Sequence, residues 1–205
     1  MIVSEGVANF LNGPLTAPAS PPYNEGDGIE MGAELGAKLG NMLRTFWFPT
    51  HTVPSETWED GTQLHRIANS RQLPGAIVVN ARGERFADKT TNYSDFGKTL
   101  HDFDPKAFEY KNLPAFEIMD HGFRKRYAIE GQVLPEDDLP EWVAKGETIE
   151  ELAETLGIDA DGLRRTIETH NENVRDGEDS VMGAEAHPTR TRRVIRGPTI
   201  PTSLR

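Results

Sequence analysis

The chain has 205 residues, of which 36% are hydrophobic, and a formal charge of −11. This length fits one or two domains, and the negative charge argues against a nucleic-acid partner, whose phosphates need a basic face. Because the chain has no cysteine, it has no disulfide, thiolate nucleophile or zinc-finger site. No apolar run approaches the roughly 20 residues of a membrane helix, and Met1–Glu5 lacks a signal-peptide pattern. We therefore expect a cytoplasmic protein.

The first predicted element is a helix from Gly28 to about Leu39. Prolines make residues 13–23 a loop, Asp27 is placed to cap the helix, and Gly40-Asn41 is a suitable end. Glycines recur every four residues, at 28, 32, 36 and 40. A glycine face allows close approach of a backbone, which belongs either to a sheet or to a cofactor domain.

The middle of the chain predicts a β-hairpin. Ala76–Val79 runs into Asn80-Ala-Arg-Gly83, and a short Arg-Phe segment ends at Phe86. This pattern is typical of a strand, a tight turn whose glycine has positive φ, and a return strand. The loop after the hairpin carries Tyr93 among small polar residues, where a rigid support would aim a reactive group.

Shorter elements surround this hairpin. We predict a strand at Phe46–Pro49, loop with a short helix over residues 50–72, and loop from the hairpin to Asp104. We also predict short helices at Lys106–Tyr110 and His121–Tyr127, with a strand at Leu113–Met119 between them.

The last third predicts two helices after a turn-rich linker at residues 130–140. Thr148 with Glu151 forms a capping box for the first, and Asp159 caps the second, which ends at Asp176-Gly177. Strands followed by helices indicate an α+β fold. Residues 130–182 carry 16 acidic and 4 basic residues, which we interpret as a solvated helical face. Residues 183–205 are basic without hydrophobic period, so we expect disorder or an extended arm.

Two blocks carry a family resemblance. The first is the hairpin Gly75–Phe86, with the pattern GAIVVN-x-x-G-x-RF, and the second is Asn24–Met31 followed by Gly36-Ala37 and Gly40–Met42. In order and spacing they resemble the fumarate reductase/3-ketosteroid dehydrogenase group of FAD enzymes, over about residues 13–183.

The resemblance implies FAD as cofactor, with Gly26, Asp27 and Gly28 near it, although a plain helix cap explains Asp27 equally well. The Gly-x-Gly-x-x-Gly turn that seats the pyrophosphate does not occur in the sequence. We therefore interpret the chain as an interior portion lacking the Rossmann core. Residues 1–45 would be a strip of the flavin domain, residues 46–182 the substrate (cap) domain, and residues 183–205 a tail. Weak FAD binding, a missing FAD-domain chain and a homodimer are expected.

Substrate expectations follow from replaced residues. Tyr93 lies where fumarate reductases carry a proton-donating arginine, and tyrosine there resembles the ketosteroid dehydrogenases. Phe48 replaces a histidine before Pro-Thr, and Ala68 with Asn69 replace a Thr-Glu pair. Carboxylates need cationic partners, so these residues favour a neutral, apolar ketone such as a steroid. By resemblance, Tyr93 removes a proton beside the ring ketone while a hydride passes to the flavin.

Three alternatives stay open. Tyr93 could simply be a tyrosine of a surface loop. The parent enzyme could be a fumarate reductase-like ene reductase. The chain is also compatible with a non-catalytic fragment that binds a partner chain or a ligand. Six scattered histidines make no HxH or HExxH spacing, so we expect no metal site.

Overall fold

The centre of the fold is a three-stranded antiparallel sheet. The structure, a computed structural model, describes residues 18–41, 45–176, 178–180, 184–185 and 200–204. The helices in this part are α1 (Asp27–Glu34), α2 (Tyr93–Thr99), α3 (His121–Arg124), α4 (Ile149–Leu156) and α5 (Ala160–Asp176), with a 3₁₀ turn at Ser70–Gln72. The strands are β1 (Thr50–Thr57), β2 (Gln63–Ile67), β3 (Ala76–Asn80), β4 (Phe103–Asp104), β5 (Glu109–Tyr110), β6 (Ala115–Met119), β7 (Glu178–Asp179), β8 (Ala184–Glu185) and β9 (Ile200–Leu204). The predicted α+β class is confirmed.

The central sheet has the order β3–β6–β9, and three two-stranded ribbons pair β1 with β2, β4 with β5 and β7 with β8. In the β3–β6 ladder Ile77 lies opposite Ile118, and Val78 lies opposite Glu117. Because side chains alternate between faces, neighbouring rungs serve two different cores.

One face of the sheet packs on α4 and α5. Ile77, Val79, Phe116 and Ile118 meet the buried side chains of these helices, among them Leu163. The amphipathic pattern of α4 and α5 supplies that apolar stripe. This layer fixes the sheet from behind.

The other face carries a second layer made from turns and short helices. Val78 and Ala115 pack with Phe96 of α2, and Ala76 and Met119 pack in a neighbouring cluster around α3. Glu117 points to this same face, because it is the cross-strand partner of Val78. The candidate site lies on this side.

The predicted hairpin at residues 75–86 is wrong in its second strand. β3 pairs with β6, and residues 84–86 form no strand. The turn is closed by the Asn80 N–H, which donates to the Glu84 carbonyl at 3.0 Å. Phe86 then packs near Phe96, with 5.8 Å between the ring centroids. This ring contact, rather than strand pairing, holds the segment that was predicted to be the return strand. Positive φ at Gly83, +71°, is confirmed.

The first helix is shorter than predicted, and Asp27 does not cap it. Gly26, with φ +102°, occupies the cap position and no side chain makes a cap hydrogen bond. The helix ends at Glu34 because Gly36 turns the chain with φ +81°. Only two of the four glycines, at 28 and 32, lie inside it.

Several short elements also differ from prediction. Phe46–Pro49 is not a strand, and the predicted loop at residues 50–72 contains the β1–β2 ribbon. Polar contacts rather than apolar alternation hold this ribbon, since Gln63 Nε2 donates to the Val53 carbonyl at 3.0 Å. The predicted helix at residues 106–110 is instead a turn that leads into β5, and Asp104 Oδ1 accepts the Lys106 N–H in this turn at 2.8 Å.

Other elements are confirmed. β6 and α3 lie within their predicted ranges. Thr148 Oγ1 accepts the Glu151 N–H at 3.1 Å at the start of α4, and Asp159 Oδ1 accepts the Asp161 N–H at 3.1 Å at the start of α5. α5 ends at Asp176, as the sequence indicates.

Two chain ends lie partly outside the described residues, namely residues 13–17 of the first loop and most of the basic tail. In the tail, residues 184–185 pair with β7 and residues 200–204 pair with β6. Residues 200–204 form strand β9, so this part of the tail is extended. No helix in the described part of the chain is long and apolar enough to cross a membrane.

Candidate functional site

Two of the predicted site residues meet directly. The rings of Phe48 and Tyr93 stack, with centroids 4.2 Å apart and planes 14° from parallel. Tyr93 is the first residue of α2 rather than part of a loop, because Asn92 caps this helix by accepting the Asp95 N–H at 3.0 Å. Tyr93 is 41% exposed, so its phenol is supported on one side and open on another.

The segment that carries Phe48 is held against α2 by a close approach at a glycine. A Cβ built on Gly97 would lie 2.5 Å from the Trp47 Cβ. Trp47 also meets His101 edge-on, with ring centroids 4.3 Å apart. The segment therefore lies on α2 although it is not a strand.

Asn69 lies at the same end of the β1–β2 ribbon as Phe48. The Ala68 N–H donates to the Pro49 carbonyl at 2.9 Å, one step beyond the ladder. Phe48 and Asn69 thus flank one backbone hydrogen bond. The structure brings the three predicted substrate-side residues to one edge, with Asn69 exposed.

Glu130 anchors this edge from below. Its carboxylate accepts the backbone N–H of Asn69 at 3.0 Å and the N–H and hydroxyl of Ser70. Its own backbone has φ +49°, which is unusual outside glycine. The side chain is 2% exposed, so a strained backbone holds a buried carboxylate under the start of the 3₁₀ turn.

Ser70 joins two acids. Its hydroxyl contacts Glu130 Oε1 and, at 3.1 Å, Glu117 Oε1. A hydroxyl has one proton, so two hydrogen bonds require one carboxyl to be protonated. Glu117 is fully buried, and burial with the nearby Glu130 charge raises its pKa well above the usual range. We therefore assign the proton to Glu117, which donates to Ser70, which donates to Glu130.

His51 completes the buried cluster. It is 1% exposed, and its Nδ1 lies 3.7 Å from Glu130 Oε2. Burial lowers the pKa of His51, against the opposing effect of Glu130. A neutral imidazole follows, so the hydrogen-bond donors to Glu130 described above come from Asn69 and Ser70.

A cavity of about 870 Å³ opens next to this cluster. Its walls include Trp58, Leu64, Ile67, Asn69, Tyr127 and Glu130. Tyr93 and Phe48 are not among its lining residues. Asn69 thus lines the cavity, whereas the Phe48–Tyr93 pair lies outside its lining.

The predicted cofactor contacts form an open surface. α1 has no buried residue, and a Cβ built on Gly26 or Gly28 would have nothing within 4 Å. These residues therefore do not enclose a cofactor site by themselves. No cluster of three potential metal ligands occurs among the described residues.

Sequence reasoning missed the buried acids and cations of this region. Glu117 had a visible signal, because it is the single charge in the otherwise apolar strand β6. Asn92 also had one, since Asn three residues before Asp95 is a helix-start pattern. Glu130 had none, because its role depends on a contact with a distant turn.

Comparison with known proteins agrees with the resemblance. Residues 12–202 match the model of the FAD binding domain family. A 4-oxocyclohexanecarboxylate 2-dehydrogenase of Sinomonas cyclohexanicum is 33% identical over 172 residues, which cover 83% of this chain and 29% of that protein. A 3-oxosteroid 1-dehydrogenase of Mycolicibacterium smegmatis is 32% identical over 174 residues, covering 80% of this chain and 29% of that protein.

A solved structure is similar over nearly the whole chain. It is the 3-ketosteroid Δ1-dehydrogenase of Sterolibacterium denitrificans in complex with 1,4-androstadiene-3,17-dione, with a TM-score of 0.79 and 27% identity. The match covers 98% of this chain and 39% of that one. The chain spans about three tenths of the length of the curated relatives it matches. The chain belongs to the FAD binding domain family of flavoprotein oxidoreductases, and within it resembles the dehydrogenases of 3-oxosteroids and oxocyclohexanecarboxylates.

Proposed function

We propose that this chain forms the substrate side of an FAD-dependent dehydrogenase that acts beside a ring ketone. The observation that carries the proposal is the stack of Tyr93 on Phe48, 4.2 Å between centroids. It presents a partly exposed phenol beside an aromatic wall. The names of the relatives, which act on oxosteroids and oxocyclohexanecarboxylates, support a cyclic ketone as substrate.

The residue types at this edge support an apolar ring rather than a dicarboxylate. Phe48 and Ala68 provide no charge, and Asn69 provides a neutral amide. A carboxylate substrate would need cationic or multiple donors here. Aromatic and small apolar surface with one polar group is typical of a site for a flat hydrophobic ligand.

The chemistry that this chain would contribute is proton transfer. Tyr93 in its phenolate form would accept the proton from the carbon next to the ketone and so become the neutral phenol, and the exposed Asn69 amide would donate a hydrogen bond to a polar group of the substrate. FAD, when bound, supplies the acceptor for the hydride that leaves the neighbouring carbon. Loss of the proton and the hydride leaves a carbon–carbon double bond conjugated with the ketone. Phe48 holds the Tyr93 ring in one orientation throughout.

The rest of the cofactor site would come from outside this chain. Gly26, Asp27 and Gly28 line an open surface, and the sequence has no glycine-rich pyrophosphate turn. We propose that residues 1–45 are a strip of the flavin domain and residues 46–182 the substrate (cap) domain. An FAD-domain chain or segment would supply the glycine-rich turn that binds the pyrophosphate.

A second candidate, a binding module without catalysis of its own, is favoured by α1. This helix has no buried residue, and Met31 and Leu35 are 60% and 90% exposed. Such a surface suits a partner. The two candidates differ in whether Tyr93 is needed after the partner has bound.

Two measurements test the proposal. The absorption spectrum of the purified chain should show no flavin bands, and stoichiometric FAD would contradict the assignment of residues 1–182. In the second, the chain replaces the matching segment of a full-length 3-oxosteroid dehydrogenase. The chimera should oxidise cyclic ketones and leave fumarate unreduced. A chimera that binds FAD and reduces fumarate would overturn the substrate class, and one inactive on all cyclic ketones would favour the binding module.

A further inference from the structure

Arg71 is a buried arginine in the 3₁₀ turn that follows Asn69. Its side chain is 1% exposed. The guanidinium donates through Nη1 to the Lys89 carbonyl and through Nη2 to the Thr91 carbonyl, the latter at 3.0 Å. Its Cζ also lies 4.4 Å from the centroid of the Phe96 ring. Arg71 therefore contacts both the segment before Tyr93 and the helix that Tyr93 begins.

Lys89 makes the reciprocal contact. It is 5% exposed, and its Nζ donates to the Leu73 carbonyl at 2.5 Å. One cation reaches forward from the 3₁₀ turn and the other reaches back to it. Together their three hydrogen bonds join residues 71–73 to residues 89–91.

Buried acids compensate these charges. Glu117, Glu130 and Asp88 face Arg71 and favour its charged form, although burial, the larger effect, lowers the pKa of Arg71. The buried side of the 3₁₀ turn is fixed as well, because Glu130 accepts the Asn69 and Ser70 N–H groups. Arg71 thus has a rigid base from which to hold the next segment.

We propose that Arg71 is a positioning residue that sets where Tyr93 stands relative to Asn69, by holding the Lys89 and Thr91 carbonyls in one guanidinium fork. The proposal rests on the proposed function, in which Tyr93 and Asn69 act on one substrate. Arg71 lies two residues after Asn69 and binds the residue two before Tyr93. Its fork therefore joins the turn after Asn69 to the segment before Tyr93.

The fork matters in addition to the charge. A guanidinium is planar and presents donors in a fixed arrangement, whereas an ammonium is a point charge on a flexible stem. Two carbonyls two residues apart match the fork, and the plane of the same group covers Phe96. Lysine at this position would keep the charge near Glu117 but would hold one carbonyl at a time.

The test compares Arg71→Lys with a matched control, Arg124→Gln. Arg124 is also a buried arginine, 8% exposed, that donates to two carbonyls, those of Leu134 and Asp137. Ring-proton NOEs between Phe48 and Tyr93, and hydrogen exchange of the Thr91 and Phe96 amides, are measured on the full chain below its unfolding temperature. Both readouts need neither substrate nor cofactor.

Arg71→Lys should lose the Phe48–Tyr93 NOEs and speed exchange at the Thr91 and Phe96 amides, which donate to the Asp88 and Asn92 carbonyls, by about tenfold or more through local opening. Arg124→Gln should lower stability and leave both readouts unchanged. If Arg71→Lys retains the ring contact and the slow exchange, charge alone suffices and the proposal is wrong. If Arg124→Gln alters them equally, Arg71 is only one stabilising residue among others, and the proposal is also wrong.

Two further measurements distinguish a loss of the fork from a general loss of folding and from an effect on catalysis alone. Arg71→Gln combined with Glu117→Gln removes the fork and replaces the protonated acid by a neutral amide, so no carboxyl at position 117 can ionise once the cation is gone. This variant should reproduce the Arg71→Lys effect, and an intact ring contact in it would overturn the proposal. In the chimeric enzyme, Arg71→Lys should lower kcat by about 10- to 100-fold, the range for misplacing a reacting group. Unchanged kcat with a lost NOE would place the failure in the role of Tyr93 rather than in the fork.

Discussion

Glu117 lies opposite Val78 in the β3–β6 ladder, so its carboxyl enters the buried face of the sheet on which the candidate site is built. At its far end it meets Ser70, which in turn meets Glu130. A protonated Glu117 is the arrangement that gives the Ser70 hydroxyl two hydrogen bonds. The polar cluster therefore holds a proton on Glu117, whose pKa is raised by burial.

The first prediction concerns Glu117→Gln, in which the amide imitates the protonated acid. The folded-state pKa of Glu117 is raised, so the folded protein holds a proton that the unfolded chain releases above about pH 4.5. By linkage this contribution to stability is present below that pH and is lost as pH rises through the folded-state pKa. We expect urea unfolding at a series of pH values to show that the free energy of unfolding of Glu117→Gln rises relative to that of the wild type as pH increases.

The control for this series is Glu136→Gln, which changes an exposed acid in the linker. Its difference from the wild type should stay small at every pH, because surface substitutions change stability by about 0.5 kcal/mol or less. Parallel pH curves for the wild type and Glu117→Gln would contradict the assigned proton.

The second prediction concerns Lys89, whose pKa burial lowers to about 8 from its usual 10.5. Between these values the unfolded chain binds more protons than the folded one, so stability rises with pH. The full contribution is present above about pH 10.5 and is lost as pH falls through about 8. Lys89→Met should remove this rise, which amounts to at most about 3 kcal/mol. The matched control is exposed Lys106→Met, which should keep it.

The third prediction concerns the turn after β3. Gly83 has φ +71°, and a Cβ there would lie 2.2 Å from the Leu163 backbone nitrogen at the start of α5. Gly83→Ala therefore adds both backbone strain and a clash with backbone, and should lower stability by about 3 kcal/mol or more. The control, Gly61→Ala, has φ +85° with nothing within 4 Å and should cost about 1 kcal/mol. Equal losses in thermal or urea unfolding would exclude the clash.

Local chemistry in the sequence predicted part of this fold well. The capping of α4 by Thr148, the start of α5 at Asp159 and the positive φ of Gly83 depend on residues within a few positions. The apolar strand β6 was predictable for the same reason. Each of these rules needs no knowledge of a distant partner.

The misses share a dependence on long-range contacts. The sequence suggested that β3 forms a hairpin with the residues that follow it. In the structure β3 pairs with β6 instead, and the Phe86 ring packs near Phe96. Phe48, Asn69 and Tyr93 were proposed as site residues from the sequence, but their position at one edge of the β1–β2 ribbon was not predicted. The Glu130 anchor and the Arg71 fork join segments that no local pattern connects.

The fourth prediction concerns the exposed face of α1. Met31 in this helix is 60% exposed, and Leu35, which directly follows the helix, is 90% exposed. No residue of the helix itself is buried. We expect the isolated chain to associate through this face as concentration rises, because apolar patches favour contact. Met31→Ser with Leu35→Ser should shift light scattering towards the monomer. Phe108→Ser, which removes an 84% exposed ring elsewhere, should not, and a wild type that stays monomeric would refute the prediction.

The last prediction concerns Tyr93 in the chimeric enzyme. Tyr93→Phe keeps the ring on Phe48 and removes the hydroxyl, so folding should be intact, and loss of a general base should lower turnover of the cyclic ketone by roughly 10²–10⁴-fold. Tyr93→Arg should not create fumarate reduction, because Phe48, Ala68 and Asn69 provide no anchor for a dicarboxylate. Circular dichroism and FAD content check folding of each variant, and steady-state kinetics measure turnover. Near-normal turnover by Tyr93→Phe would leave Tyr93 as the structural partner of Phe48, with the base elsewhere in the enzyme.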